Sequence, residues 1–152
     1  MIKVLFICWG NICRSPMGEY ILKDMVNRRG IADDFYIESA ATSTEELGNP
    51  VYPPARVELR KHGINCDGHR ARQVRKSDYD DFDIIIAMED IHVSIMERRF
   101  FGGDPDGKIK LCMEFAGRPY EKVDDPWYTG RFDEVYAQLT EACEGLLKEN
   151  GY

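Results

Sequence analysis

The sequence predicts an α/β protein, a doubly wound sheet of four parallel strands with helices on both faces. Three observations predict it. Short apolar runs of strand length alternate along the chain with stretches whose apolar residues recur at helical spacing. Two of the runs, residues 2–7 and 82–88, are apolar almost throughout, as in strands buried on both faces of a parallel sheet. The 152 residues, 43% of them hydrophobic, suffice for one sizeable core and fit a single domain over 1–152. Crossovers between parallel strands in such a sheet are right-handed.

The elements follow in order. The first run, "IKVLFI", is broken only by Lys3. Met17, Tyr20, Ile21 and Met25 then recur at helical spacing until Gly30 ends the pattern. "FYIES", residues 35–39, is a short second strand. Residues 40–54 are loop-like, and Pro53-Pro54 starts a helix through Val57 and Leu59 to Gly63. "FDIIIAM", residues 82–88, is the third strand, and "IHVSIMERRF" continues as a helix. "KIKLC", residues 108–112, is a weaker fourth strand. Phe132, Val135, Tyr136, Leu139, Cys143, Leu146 and Leu147 place one apolar stripe on a long C-terminal helix.

Composition excludes several classes. There is no internal repeat or low-complexity block, and no run approaches the ~18–20 apolar residues of a membrane span. The N-terminus lacks the small-residue cleavage site of a signal peptide, so the cytoplasm is the expected compartment and no membrane partner is expected. With 27 acidic against 20 basic residues, the net charge is −7. A nucleic-acid partner is not expected, because neutralising phosphates needs a basic face. An anionic ligand must be held by a local device working against the global charge. Five cysteines at irregular spacings fit reduced thiols better than a disulfide framework. No second paired cluster completes a zinc site.

Ligands of doubly wound sheets bind outside the carboxyl ends of the strands, and Cys8 stands at that end of the first strand. From there the chain reads "CWGNICRSP". Gly10 takes positive φ freely and Asn11 tolerates it better than most residues, so the loop can curl into a nest of inward N–H groups. Ser15 before Pro16 has the form of an N-cap followed by the first helical residue. The helix N-terminus adds partial positive charge, and Arg14 offers a planar fork for two oxygens of one phosphate. The loop is built for a tetrahedral oxyanion. In the same field the Cys8 thiolate is stabilised and poised for in-line attack on phosphorus. The Ser15 hydroxyl can donate to the sulfur and later help it leave.

Attack on a phosphate ester also needs an acid for the departing oxygen. "VDDPWYTGRF", residues 123–132, offers Asp125. It precedes Pro126, which biases it to an extended conformation, and Trp127 and Tyr128 follow, which can partly desolvate its carboxyl. Asp124 is expected to point elsewhere. Taken alone, Asp-Asp-Pro-Trp is more often a surface turn; beside the Cys8 loop the balance reverses.

Together, "CWGNICRSP" and "DDPWYTGRFDEVY", with "ESAATS" and "GHRARQV" between them, resemble the low-molecular-weight protein-tyrosine phosphatase family across essentially the whole chain. The resemblance implies a flavodoxin-like sheet and two-step hydrolysis of phosphotyrosine through a phosphocysteine, without metal or cofactor. It assigns nucleophile to Cys8, phosphate and transition-state binding to Arg14, and general acid, then base, to Asp125. The loop residues Trp9, Gly10, Asn11, Ile12, Cys13 and Ser15 cradle the phosphate, and Ser39 and His69 join Asn11 and Ser15 in a network that holds its shape. The resemblance also raises a reversible Cys8–Cys13 disulfide; packing beneath the loop explains Cys13 as well. The implied partner is a phosphotyrosine-containing protein or an aryl phosphate, with inorganic phosphate as product.

Trp9, Trp127 and Tyr128, each next to a proposed catalytic element, are the expected walls of a cleft deep enough for phosphotyrosine. Ile12 favours phosphotyrosine over phosphoarginine, since related phosphoarginine enzymes resemble this chain but carry Thr there. Glu45 stands about where many family members have a bulky apolar residue. Leu47 or Tyr52 substitutes for it, or the wall is open and acidic and disfavours acidic peptides. Two alternatives fit less well. A thiol-coupled arsenate reductase needs downstream relay cysteines where this chain reads "IIIAMEDIHVSIMERRF", and usually has Ser-Gln in place of Ser15-Pro16. A pure phosphate-binding module needs neither a thiol nor an acid.

Overall fold

The computed structural model describes every residue from Met1 to Tyr152. The principal elements are β1 (Ile2–Cys8), α1 (Arg14–Arg28), β2 (Phe35–Ala41), α2 (Pro53–Lys61), α3 (Asp78–Asp81), β3 (Ile84–Ala87), α4 (Asp90–Ile95), β4 (Ile109–Leu111), α5 (Pro126–Thr129) and α6 (Phe132–Glu149). The sheet has the order β2-β1-β3-β4 and every pairing is parallel. The chain winds outward from β1 to β2, returns past β1 to β3, and continues to β4. That reversal makes the doubly wound α/β fold and opens a crevice beyond the carboxyl ends of β1 and β3.

The continuous apolar run of β1 has a direct cause. Val4 and Phe6 face one core layer, with Met17, Ile21 and Leu22 of α1 and Val135, Leu139 and Leu146 of α6. Leu5 and Ile7 face the other, with Val74, Tyr79, Phe82 and Met96. Both faces of the strand are covered, so alternation has nothing to report. Gly18 of α1 lies so close to β1 that an added Cβ would meet the Phe6 ring at 2.7 Å.

Several boundaries differ from expectation. The third strand is only four residues long, because Phe82 caps α3, a short helix with no apolar period of its own. The helix after β3 is regular to Ile95 and then widens into a π-helical stretch, Met96–Phe101, which brings Met96, Phe100 and Phe101 against the second core layer. The fourth strand ends at Leu111, and Cys112–Ala116 forms a 3₁₀ turn against α6. No helix is long and apolar enough to cross a membrane.

Candidate active site

The loop from β1 to α1 curls around the Cys8 sulfur. Sγ accepts the Asn11 N–H at 3.3 Å and the Ser15 N–H at 3.4 Å, and lies 2.9 Å from Ser15 Oγ. The turn depends on Asn11, which has φ 61 and is the single non-glycine residue at positive φ. Gly10 does not take positive φ as expected; it is small because Glu46 Cγ lies 3.3 Å from where its Cβ would be. Asn11 is held from every side. Its amide donates to Ser15 Oγ at 2.8 Å and to Ser39 Oγ at 2.9 Å, and its Oδ1 accepts the Arg72 N–H at 3.2 Å. His69 Nε2 donates to its carbonyl at 2.8 Å. A carbonyl only accepts, so this nitrogen carries the proton. Ser39 in turn donates to Glu19, whose carboxylate also pairs with Lys23.

The helix entry needs one correction. α1 begins at Arg14, with Cys13 as its N-cap and no side-chain capping bond. Ser15 is already helical, because its hydroxyl is engaged with the Cys8 sulfur and Asn11 instead of a backbone N–H of the first turn.

Arg14 is almost fully buried. Nη1 donates to Glu89 Oε2 at 2.7 Å and to the Val123 carbonyl at 3.0 Å, while Nη2 lies 3.6 Å from Asp125 Oδ2. Burial works against its charge, but Cys8, Glu89 and Asp125 together hold its pKa above the ordinary value. Burial likewise opposes the Glu89 charge, yet the hydrogen bond and charge of Arg14 hold that carboxyl below its usual range. Asp125 arrives from across the sheet. The Val123 N–H bonds to the Met88 carbonyl at 3.0 Å, which lays residues 123–125 beside the end of β3. Asp125 then caps α5, its Oδ1 accepting the Trp127 N–H at 3.2 Å. Asp124 turns the other way to Arg131.

Cys8, Cys13 and Arg14 line a cleft of about 180 Å³, which Trp9, Ile12, Glu45, Glu46, Asp125, Trp127 and Tyr128 also border. Of the aromatics beside Asp125, Trp127 is 53% exposed and Tyr128 84%, and the Asp125 side chain is itself a third exposed. Leu47 is exposed and outside the cleft, and Tyr52 packs behind Trp127 at 4.7 Å between ring centroids. The wall at Glu45 is therefore open and acidic. Trp9 leans on it, its Nε1–H donating to Glu45 Oε2 at 2.9 Å. Cys13 is a buried thiol whose pKa is pushed up, first by burial and then by Cys8 and Asp125.

Sequence reasoning missed Glu19, Arg72 and Glu89. Glu89 follows the carboxyl end of the third strand, the same signal that singled out Cys8. Glu19 stands one helical turn after Ser15, on the same side of α1. Arg72 contributes only its backbone N–H to the loop and left no signal.

A doubly wound sheet carrying a thiol inside an anion-binding loop defines the class of protein. Comparison with known proteins defines the family. The family model described as low molecular weight phosphotyrosine protein phosphatase matches residues 3–150. The low molecular weight protein-tyrosine-phosphatase YfkJ of Bacillus subtilis is 40% identical, over 97% of this chain and 94% of its own length. Its crystal structure superposes with a TM-score of 0.93, covering 98% of this chain and 94% of that one. The low molecular weight protein tyrosine phosphatase of Streptococcus pyogenes, 37% identical, superposes with a TM-score of 0.85 over 98% of this chain and 93% of its own. The chain belongs to the low molecular weight phosphotyrosine protein phosphatase family.

Proposed function

We propose that the whole chain, as a single domain, hydrolyses phosphotyrosine in proteins, with Cys8 as nucleophile, Arg14 as phosphate clamp and Asp125 as acid and base. One observation carries this reading: the Asn11 and Ser15 N–H groups donate to the Cys8 sulfur, and the Ser15 hydroxyl lies 2.9 Å from it. Such donors stabilise a thiolate and leave it facing an anion site.

In the first step sulfur forms a bond to phosphorus in line with the ester oxygen. The phosphorus–oxygen bond breaks, and Asp125 gives its proton to the departing phenolate. Arg14, fixed by Glu89, holds the equatorial oxygens as charge spreads over them. In the second step Asp125 takes a proton from water as that water attacks phosphorus. The sulfur–phosphorus bond breaks, the Ser15 hydroxyl receives the returning thiolate, and inorganic phosphate leaves. A lining that includes Trp9, Trp127, Tyr128 and Ile12 suits an aryl phosphate. All five cysteines are unpaired, which fits the reducing cytoplasm.

The test is turnover of a chromogenic aryl phosphate, with and without EDTA, together with acid-quenched mass spectrometry. A phosphoryl adduct on Cys8 and EDTA-insensitive turnover are expected, with Cys8→Ser slower by about 10³-fold or more. Undiminished turnover by Cys8→Ser would place the chemistry elsewhere.

A further inference from the structure

The loop between β2 and α2 runs beside the phosphate loop and is bonded to it. The Thr42 N–H donates to the Cys8 carbonyl at 2.9 Å, and the Ser43 N–H and hydroxyl donate to the Trp9 carbonyl at 3.0 and 2.8 Å. This attachment fixes Glu45 and Glu46 at the cleft mouth. Each carboxylate has one oxygen held by a neutral donor, Glu45 by the Trp9 indole and Glu46 by the Asn49 amide at 2.6 Å. Neither forms an ion pair. The other carboxylates around the site do: Glu19 with Lys23, Glu89 with Arg14 and Asp124 with Arg131. Arg14 is the sole cation lining the cleft, buried at its base, paired with Glu89 and 3.6 Å from Asp125. Arg131, past α5, is committed to Asp124 and Glu134. Two anchored, uncompensated negative charges therefore border a cleft whose base binds an anion.

From this we infer that Glu45 and Glu46 set substrate choice, selecting phosphotyrosine flanked within two residues by lysine or arginine. The inference rests on the phosphatase reading of Cys8. A peptide whose phosphotyrosine reaches the sulfur must lay its neighbouring residues across the mouth. A basic neighbour there meets two carboxylates with no competing cation, and an acidic neighbour is repelled by both. The half-exposed indole of Trp9, tethered to Glu45, adds an aromatic surface that a cation favours. The base and the mouth thus carry opposite preferences: anion inside, cation outside.

The experiment compares phosphate release from three peptides of equal length in which phosphotyrosine is flanked by lysine, glutamine or glutamate. Each rate is referred to aryl phosphate turnover by the same enzyme, so that any change in the chemistry cancels. We expect kcat/KM to fall in the order lysine, glutamine, glutamate, with the extremes about tenfold apart at low salt. The ratio should shrink toward unity near 1 M salt, where screening acts within about 3 Å. Glu45→Gln/Glu46→Gln should collapse the ratio, while Glu144→Gln/Glu149→Gln, an equal charge change in the C-terminal part of α6, should leave it intact. Equal rates for the three peptides, or an unchanged ratio in the double variant, would overturn the inference and leave the phosphatase reading standing. No turnover of aryl phosphate would overturn both.

Discussion

Asn11 shows how a single side chain sets the site. Left-handed backbone costs a non-glycine residue roughly 1–2 kcal/mol. Two amide hydrogens, an amide oxygen and a carbonyl, all bonded to buried or half-buried partners, offset that cost and turn its N–H toward the sulfur. The loop from Cys8 to Ser15 was legible because all of its chemistry lies within eight consecutive residues. Glu19, Glu89 and the Arg72 N–H were not, since each earns its place only through a contact that the fold supplies. Asp125 lies between these cases, with a local turn signal but a distant partner in Arg14. Its proposed role is testable on leaving groups. Asp125→Ala should slow hydrolysis of phenyl phosphate by about 10²–10⁴-fold. Esters of acidic phenols, whose oxygen departs unprotonated, should be slowed far less in quenched-flow measurement of the first step. Equal losses across the series would remove Asp125 from the acid role.

At the scale of elements, periodicity located the long pieces and failed on the short ones. The stripe on α6 was legible because seven apolar residues share one face. α3, α5 and the turn Cys112–Ala116 were missed, because four or five residues carry no period to read. One of these contacts is unusually close. A Cβ on Gly145 of α6 would stand 1.7 Å from the Phe115 carbonyl oxygen and 2.7 Å from its carbon. That neighbour is backbone and cannot rotate away. Helix propensity alone would make Gly145→Ala stabilising by about 1 kcal/mol. The contact reverses the sign, and we expect a net loss of about 1–3 kcal/mol in urea unfolding. The displaced turn leads into residues 117–125, so the Asp125-dependent step should slow as well. A gain in stability would show that α6 and the turn are not packed this closely.

Over the whole molecule, alternation of strand-length and helix-length runs fixed the fold class, but it carried no information about long-range partners. It did not reveal that the segment before Asp125 is laid down by Met88, or that His92 sits behind Arg14 and Glu89. His92 is 1% exposed, and its Nδ1 has no hydrogen-bond partner. Burial, then the Arg14 charge, lower its pKa from 6.5 to about 4, with Glu89 opposing. The folded protein therefore holds this ring neutral where the unfolded chain takes up a proton. Its contribution is complete above pH 6.5 and is lost as the pH falls through the window from 6.5 to 4. By linkage, the unfolding free energy should drop by about 2 kcal/mol between pH 7 and pH 5 from this group alone. Glu89, whose pKa is lowered from 4.5, adds its own loss only at more acid pH, so the two effects separate. His92→Gln removes the titrating group and keeps a polar side chain of similar length. Urea unfolding across that interval should therefore show a flatter pH dependence in the variant than in the native chain. Parallel slopes would mean that the ring is already charged, or already solvated, beside Arg14.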